Sequence, residues 1–209
     1  MKGFKLPWPG MLLALCMAII FLSACSSSSS GNPKIKIITR HGDIIIELFQ
    51  DKAPVTTNAF LNYVDSNYYY RSTFYRVLKE DNQPSYGNKA ELIQGGLYRT
   101  NRAFSAALPG IPHETTATTG LRHERGTLSM ARNEPGSAST EFFICMADQP
   151  GFDFGGMNNA DGQGYAAFGM VRSGMEVLEK IYEFRDWEQY FDPPVVIFNI
   201  ERYSGEPLP

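Results

Sequence analysis

The run GTLSMARNEPGSASTEFFICMA, residues 126–147, limits the fold more than any other part of this chain. It contains two short apolar stretches, residues 128–131 and 142–146, joined by a loop rich in Gly, Ser and Pro. Apolar runs of four or five residues bounded by turn formers are too short for helices, and read as strand–loop–strand. The same pattern recurs. Residues 34–39 and 44–49 are β-branched runs that meet across Arg40-His41-Gly42-Asp43, a hairpin closed by a glycine-containing turn. Residues 195–200 supply a last strand. Only two segments carry helical spacing. Pro54 suits a first helical position, and Val55, Ala59, Phe60, Tyr63 and Val64 give residues 54–66 one apolar face. A second helix is expected from Ser173, which can form a capping box with Glu176, with Met175, Leu178, Ile181 and Tyr182 as its apolar positions. Many strands and two helices predict a mostly β fold, a closed antiparallel barrel with two capping helices.

The ends of the chain read differently. Lys2 and Lys5 precede an apolar run, residues 11–22, that is too short to span a bilayer, which needs roughly 20 residues. The run closes on Leu22-Ser23-Ala24-Cys25, which resembles the lipobox of bacterial lipoproteins. That resemblance implies a signal peptide over residues 1–24, a diacylglycerol on Cys25, and a flexible serine-rich tether to residue 33. A domain over residues 34–204 and a short tail, 205–209, follow. Acyl chains would anchor such a protein without a membrane-spanning helix. The location this implies is the bacterial envelope, with Ser26 favouring the periplasmic side of the outer membrane in a Gram-negative cell. Removing the two lysines of the leader makes the formal charge two units more negative than −3, and nothing in that balance points to nucleic acid. Cys16 would leave with the leader, Cys25 would be acylated, and Cys145 stands alone, so an intramolecular disulfide is excluded. Cys145 lies in the apolar run Phe142-Phe143-Ile144-Cys145-Met146 and reads as a small buried hydrophobe, not a nucleophile.

Four motifs occur in order: Phe74-Tyr75-Arg76, Ile93-Gln94-Gly95-Gly96, Ser129-Met130-Ala131-Arg132 and Glu141-Phe142-Phe143-Ile144. Together they resemble the cyclophilin family of peptidyl-prolyl cis–trans isomerases, over residues 35–200. The resemblance implies a cyclophilin-like barrel and an activity on proline-containing polypeptides. It implies no metal and no cofactor, and a monomer is expected. In the family the arginine of Phe-x-Arg aids pyramidalisation of the prolyl nitrogen, which assigns the catalytic role to Arg76. Gln94 matches the glutamine that bonds the substrate backbone, and Phe143 matches the floor of the proline pocket. Leu92 and Phe152 fall at positions of the pocket wall, and Tyr165 at that of a frequent histidine. Phe74, Met130, Ala131 and Arg132 are assigned to the same substrate-binding set, with backbone groups near Arg132 holding an extended peptide. Glu141 replaces a common glutamine; its carboxylate would either pair with Arg76 and orient it, or draw its charge away from substrate.

This chain departs from the family elsewhere. Residues 79–90 replace a short Pro-Gly-Phe link, and Glu91 takes the usual phenylalanine position, so one pocket wall is missing or rebuilt, with Tyr86 a candidate. Gly151 and Phe152 leave no counterpart for the tryptophan behind tight cyclosporin binding, so weak drug binding is expected. The rival reading is a binding module, a chaperone or scaffold that holds proline-containing segments with little turnover. An open groove holding both Arg76 and Phe143 favours the enzyme, a groove plugged by the inserted segment weakens that reading, and Glu91 with the rebuilt link favours the binder. Residues 101–125 and 157–164 read as solvated connections, and Arg122, His123, Glu124 and Arg125 as an exposed charged turn. Residues 158–162 lack the later glutamate of a calcium loop. His41, His113 and His123 show no metal-ligand spacing.

Overall fold

A computed structural model describes residues 31–205; the expected leader, Cys25 and the serine run lie outside the described residues. In chain order the strands and helices are β1 (Lys34–Thr39), β2 (Gly42–Leu48), α1 (Pro54–Asp65), β3 (Thr73–Leu78), β4 (Leu92–Gly96), α2 (Arg102–Ala107) and α3 (Thr116–Thr119), followed by β5 (Thr127–Met130), β6 (Phe142–Cys145), a 3₁₀ turn (Pro150–Phe152), β7 (Ala166–Ser173), α4 (Met175–Tyr182), β8 (Asp186–Trp187) and β9 (Tyr190–Arg202). The strands pair antiparallel in the order β1-β2-β7-β5-β6-β4-β3-β9, and β9 returns to β1. Eight strands therefore close a barrel, and closure leaves no unpaired edge among them. The two-residue β8 pairs only with β9.

Alternation decides what enters the barrel. On β1, Ile35 and Ile37 are fully buried while Lys34 and Lys36 face out. Ile44, Ile46 and Leu48 of β2, Ile93 of β4, Leu128 of β5, Phe142 and Ile144 of β6 and Phe168 of β7 complete the interior. Helix α1 adds Phe60, whose ring lies 5.2 Å from Tyr69, 5.8 Å from Phe142 and 5.1 Å from Phe168. Aromatic groups at these separations add attraction beyond their buried area. The hairpin turn is tighter than expected: Thr39 pairs directly with Gly42, and the Thr39 hydroxyl donates to the Gly42 carbonyl at 2.8 Å.

Three expectations about helices need correction. Four helices occur among the described residues, not two, because α2 and α3 fold within residues 101–125. Each is started by a side chain at its N-cap, Asn101 bonding the Phe104 N–H and Thr115 bonding the Thr118 N–H. Val55 is 42% exposed, and the buried positions beside it are Thr56 and Thr57. The expected capping box on the last helix does not form. Ser173 remains in β7 and Gly174, at φ +90°, is the N-cap of α4, so the chain turns through a left-handed residue that serine could adopt only with strain.

Candidate functional site

The site grows from one register row on the outside of the barrel. Tyr190 of β9 pairs with Arg76 of β3, Arg76 with Gln94 of β4, Gln94 with Phe143 of β6, and Phe143 with Ser129 of β5. Residues paired across antiparallel strands share a face, so the row brings together four residues from distant parts of the chain, and a fifth, Ser129, beneath them. Simple alternation would place Phe74 and Arg76 on the same face. The register of β3 slips between them against both neighbours, a bulge that re-aims the strand. Phe74 therefore points into the core, fully buried and 6.0 Å from Phe142, while Tyr75 and Arg76 face the groove. Met130 pairs with the inward Phe142 and is buried with it. Neither Phe74 nor Met130 lines the groove, and both assignments to the substrate surface are corrected.

The groove encloses about 660 Å³ and holds Arg76, Leu92, Gln94, Ala131, Arg132, Glu141, Phe143, Phe152 and Tyr165, nine of the expected positions. Its floor is a small apolar cluster separate from the barrel interior: Leu78, Ala90, Leu92, Phe143, Cys145 and Phe152, with Ala131 and Tyr165 against it. Tyr165 stands edge-on to Phe143 at 5.2 Å and to Phe152 at 5.0 Å. Such a floor suits a proline-sized apolar ring. Cys145 lies beneath, fully buried, and burial pushes its thiol well above the ordinary range, which removes it as a nucleophile.

Arg76 is clamped from two sides. Its Nη1 donates to Gln94 Oε1 at 3.3 Å and its Nη2 to Gln189 Oε1 at 2.6 Å. Its Nε is buried and has no partner among the described residues. The amide of Gln94 is held in turn, donating to the Tyr75 hydroxyl at 2.7 Å. Glu141 does not pair with Arg76. Its Oε1 accepts from the Leu97 N–H at 2.9 Å and from the Thr140 hydroxyl at 3.0 Å. Burial pushes this carboxyl above its ordinary range, opposed by the Tyr75 and Thr140 hydroxyls and the Leu97 and Tyr98 N–H groups. Glu141 Oε2 is buried and has no hydrogen-bond partner among the described residues.

His123 was read as part of an exposed turn, and that is overturned: it is 2% exposed. Its ring stacks under Phe143 at 6.0 Å, with Nδ1 2.8 Å from Asp153 Oδ1 and Nε2 3.0 Å from Ser129 Oγ. A buried polar chain of this kind supports the floor from below. Polar residues in a turn sequence gave no signal for it.

The 79–90 segment borders the groove without filling it. Lys79 Nζ lies 2.9 Å from Asp186 Oδ1, and Asn82 Nδ2 donates to Asp186 Oδ2 at 2.9 Å. Gln83 and Ala90 close the base of the segment by reciprocal bonds of 2.7 and 3.1 Å. Leu78 and Ala90, at its two ends, join the apolar floor. Tyr86 is 83% exposed and takes no part, and Glu91 is turned away to accept from the Tyr182 hydroxyl at 3.1 Å.

Comparisons with known proteins agree with this geometry. Residues 34–202 match the family described as "Cyclophilin type peptidyl-prolyl cis-trans isomerase/CLD". A peptidyl-prolyl cis-trans isomerase of Acinetobacter baylyi is 38% identical over 157 residues, covering 75% of each chain. Peptidyl-prolyl cis-trans isomerase B of Escherichia coli is 38% identical over 144 residues, 68% of this chain and 80% of the relative. A solved Cryptosporidium parvum cyclophilin, crystallised in the presence of the dipeptide Ala-Pro, shares the fold with a TM-score of 0.64 at 24% identity, covering 82% of this chain and 99% of that one. By sequence and by fold, this chain belongs to the cyclophilin-type peptidyl-prolyl cis–trans isomerase family.

Proposed function

We propose that this cyclophilin accelerates rotation about X-Pro bonds of exported polypeptides, with Arg76 as the group that stabilises the twisted bond. As a member of its family the chain is a peptidyl-prolyl cis–trans isomerase. The barrier to be lowered is about 18–20 kcal/mol and comes from donation of the nitrogen lone pair into the carbonyl. Rotation returns that lone pair to a pyramidal nitrogen, which becomes a hydrogen-bond acceptor only near the transition state. A donor aimed at it binds the transition state more tightly than either ground state, which is the condition for catalysis. The Arg76 guanidinium, lining the same groove as the Phe143 floor and held by two neutral amides that leave its charge intact, carries this reading. Phe143, Phe152 and Tyr165 would hold the proline ring while Gln94 fixes the adjacent backbone.

The 79–90 segment lines the groove without filling it, and the presence of Arg76 in that groove favours turnover over passive binding. For the cellular setting, Leu22-Ser23-Ala24-Cys25 and the serine run support a lipid-anchored enzyme meeting clients outside the cytoplasm. The test is isomerisation of a short X-Pro peptide by the folded domain. Arg76→Ala is expected to lower kcat/KM by at least about tenfold, the equivalent of about 1.4 kcal/mol of barrier. A folded wild-type domain with no acceleration would sink the proposal.

A further inference from the structure

The acceptor on the far side of Arg76 comes from a turn whose backbone is held in a costly conformation. Trp187 pairs with Tyr190, so Glu188 and Gln189 form the two-residue loop between β8 and β9. Both have positive φ, +48° and +75°. A two-residue hairpin of this hand favours Asn and Gly, because a side chain beyond Cβ crowds the left-handed region. This chain uses two long side chains instead. Glu188 projects into solvent. Gln189 is half-buried; its backbone bonds the Asp186 carboxylate, its carbonyl accepts from the Val77 N–H at 2.8 Å, and its Oε1 accepts from Arg76 Nη2 at 2.6 Å. Any residue, glycine included, could make the backbone contacts. Only a side chain with an acceptor at this reach can make the contact to Arg76.

We infer that Gln189 is a positioning residue for isomerisation, retained in a strained turn because it holds the Arg76 guanidinium against the groove. The inference rests on the reading of Arg76 as the catalytic donor. A long arginine side chain anchored at one nitrogen alone can swing about its terminal torsions. Gln94 and Gln189 hold Nη1 and Nη2 together, which sets the plane of the fork and so the direction of the remaining N–H on each. Both clamps are neutral amides. They orient the cation without neutralising it, as a carboxylate would, and leave its charge for the substrate.

The positional strain makes the test discriminating. Gln189→Gly relieves the backbone, and Gln189→Asn tolerates it while falling one methylene short of Arg76. If Gln189 serves only the turn, both variants will match or exceed the wild type in melting temperature and in activity. If it positions Arg76, melting temperature will hold or rise while kcat for an X-Pro peptide falls about tenfold with KM within twofold. Neither variant should lower activity further in an Arg76→Ala background, since a residue acting through another loses its effect when the other is gone. Independently of turnover, the Arg76 side-chain N–H signals should be ordered by NMR in the wild type and averaged in both variants. Wild-type kcat in both variants, an additive loss with Arg76→Ala, or unchanged Arg76 order would overturn the inference. A wild-type domain without isomerase activity would instead refute the catalytic reading, while the NMR result would still decide whether Gln189 orders Arg76.

Discussion

At the scale of single residues, the groove is built by side chains whose partners lie far along the chain. Arg132 shows this well. Its side chain is 1% exposed and forks onto Asp161 at 2.7 and 2.9 Å, with Nε donating to the Gly164 carbonyl at 2.9 Å and the guanidinium 5.4 Å from the Tyr165 ring centre. It fastens the 158–164 loop behind the groove wall, so its guanidinium is committed to the fold and not to substrate. Hydrogen bonding from Arg132, more than any other cause, holds the Asp161 carboxyl down to about 2, below its usual 3.8. A carboxyl depressed in the folded state contributes stability that is full above its unfolded pKa and lost as pH falls through its folded one. The loop is therefore expected to loosen between about pH 4 and pH 2, followed by the NMR titration of Asp161 and by amide exchange at Gln163. Asp161→Asn should remove this acid dependence; an unchanged profile would contradict the assignment. Arg76, Gln94 and Phe143 were legible because each sits inside an ordered motif. Gln189 and His123 were not, since a polar residue in a turn looks alike whether it faces water or a buried partner.

At the scale of elements, strands were easier to read than the exact face each residue takes. The hairpin of β1 and β2, helix α1 and strand β9 all appear where apolar spacing puts them, although β9 starts earlier, at Tyr190. Phe74 was misplaced because a bulge breaks the period of two, and a bulge depends on both neighbouring strands rather than on local residues. The start of α4 was misread for a related reason, while that of α1, expected and found at Pro54, is held by a remote residue. Helix α1 has no side-chain cap of its own; the Glu114 carboxylate reaches across to the N–H groups of Val55 at 3.2 Å and Thr56 at 2.7 Å. At α4, local preference asks for serine at the N-cap, yet Gly174 stands there with a Cβ position only 2.5 Å from the Asp43 carbonyl oxygen. Gly174→Ser, a stabilising change by helix-capping rules, is expected instead to cost roughly 1–3 kcal/mol, measured by urea unfolding. A variant as stable as the wild type would show that the β2–α4 junction can yield.

At the scale of the whole molecule, an acyl anchor, a tether and a closed barrel would together make an isomerase confined to a surface. Cys25→Ser is expected to move the protein from the membrane fraction to the soluble fraction without changing the isomerase rate of the folded domain, because the groove is assembled wholly from residues 75–190. Retention of the variant in membranes would count against the lipid on Cys25. The sequence by itself determined the family, the mostly β character and the central trio of the groove, since ordered motifs and apolar periodicity are local properties that survive without knowing the partners. Only the tertiary structure decided which way Phe74 and Met130 point, that the 79–90 segment leaves the groove open, and that His123 and Gln189 support Phe143 and Arg76. The facing of Phe74 and Met130 depends on register between strands remote in sequence, where one residue of slip exchanges the inside of the barrel for its outside. The rest depend on contacts between segments far apart in the chain.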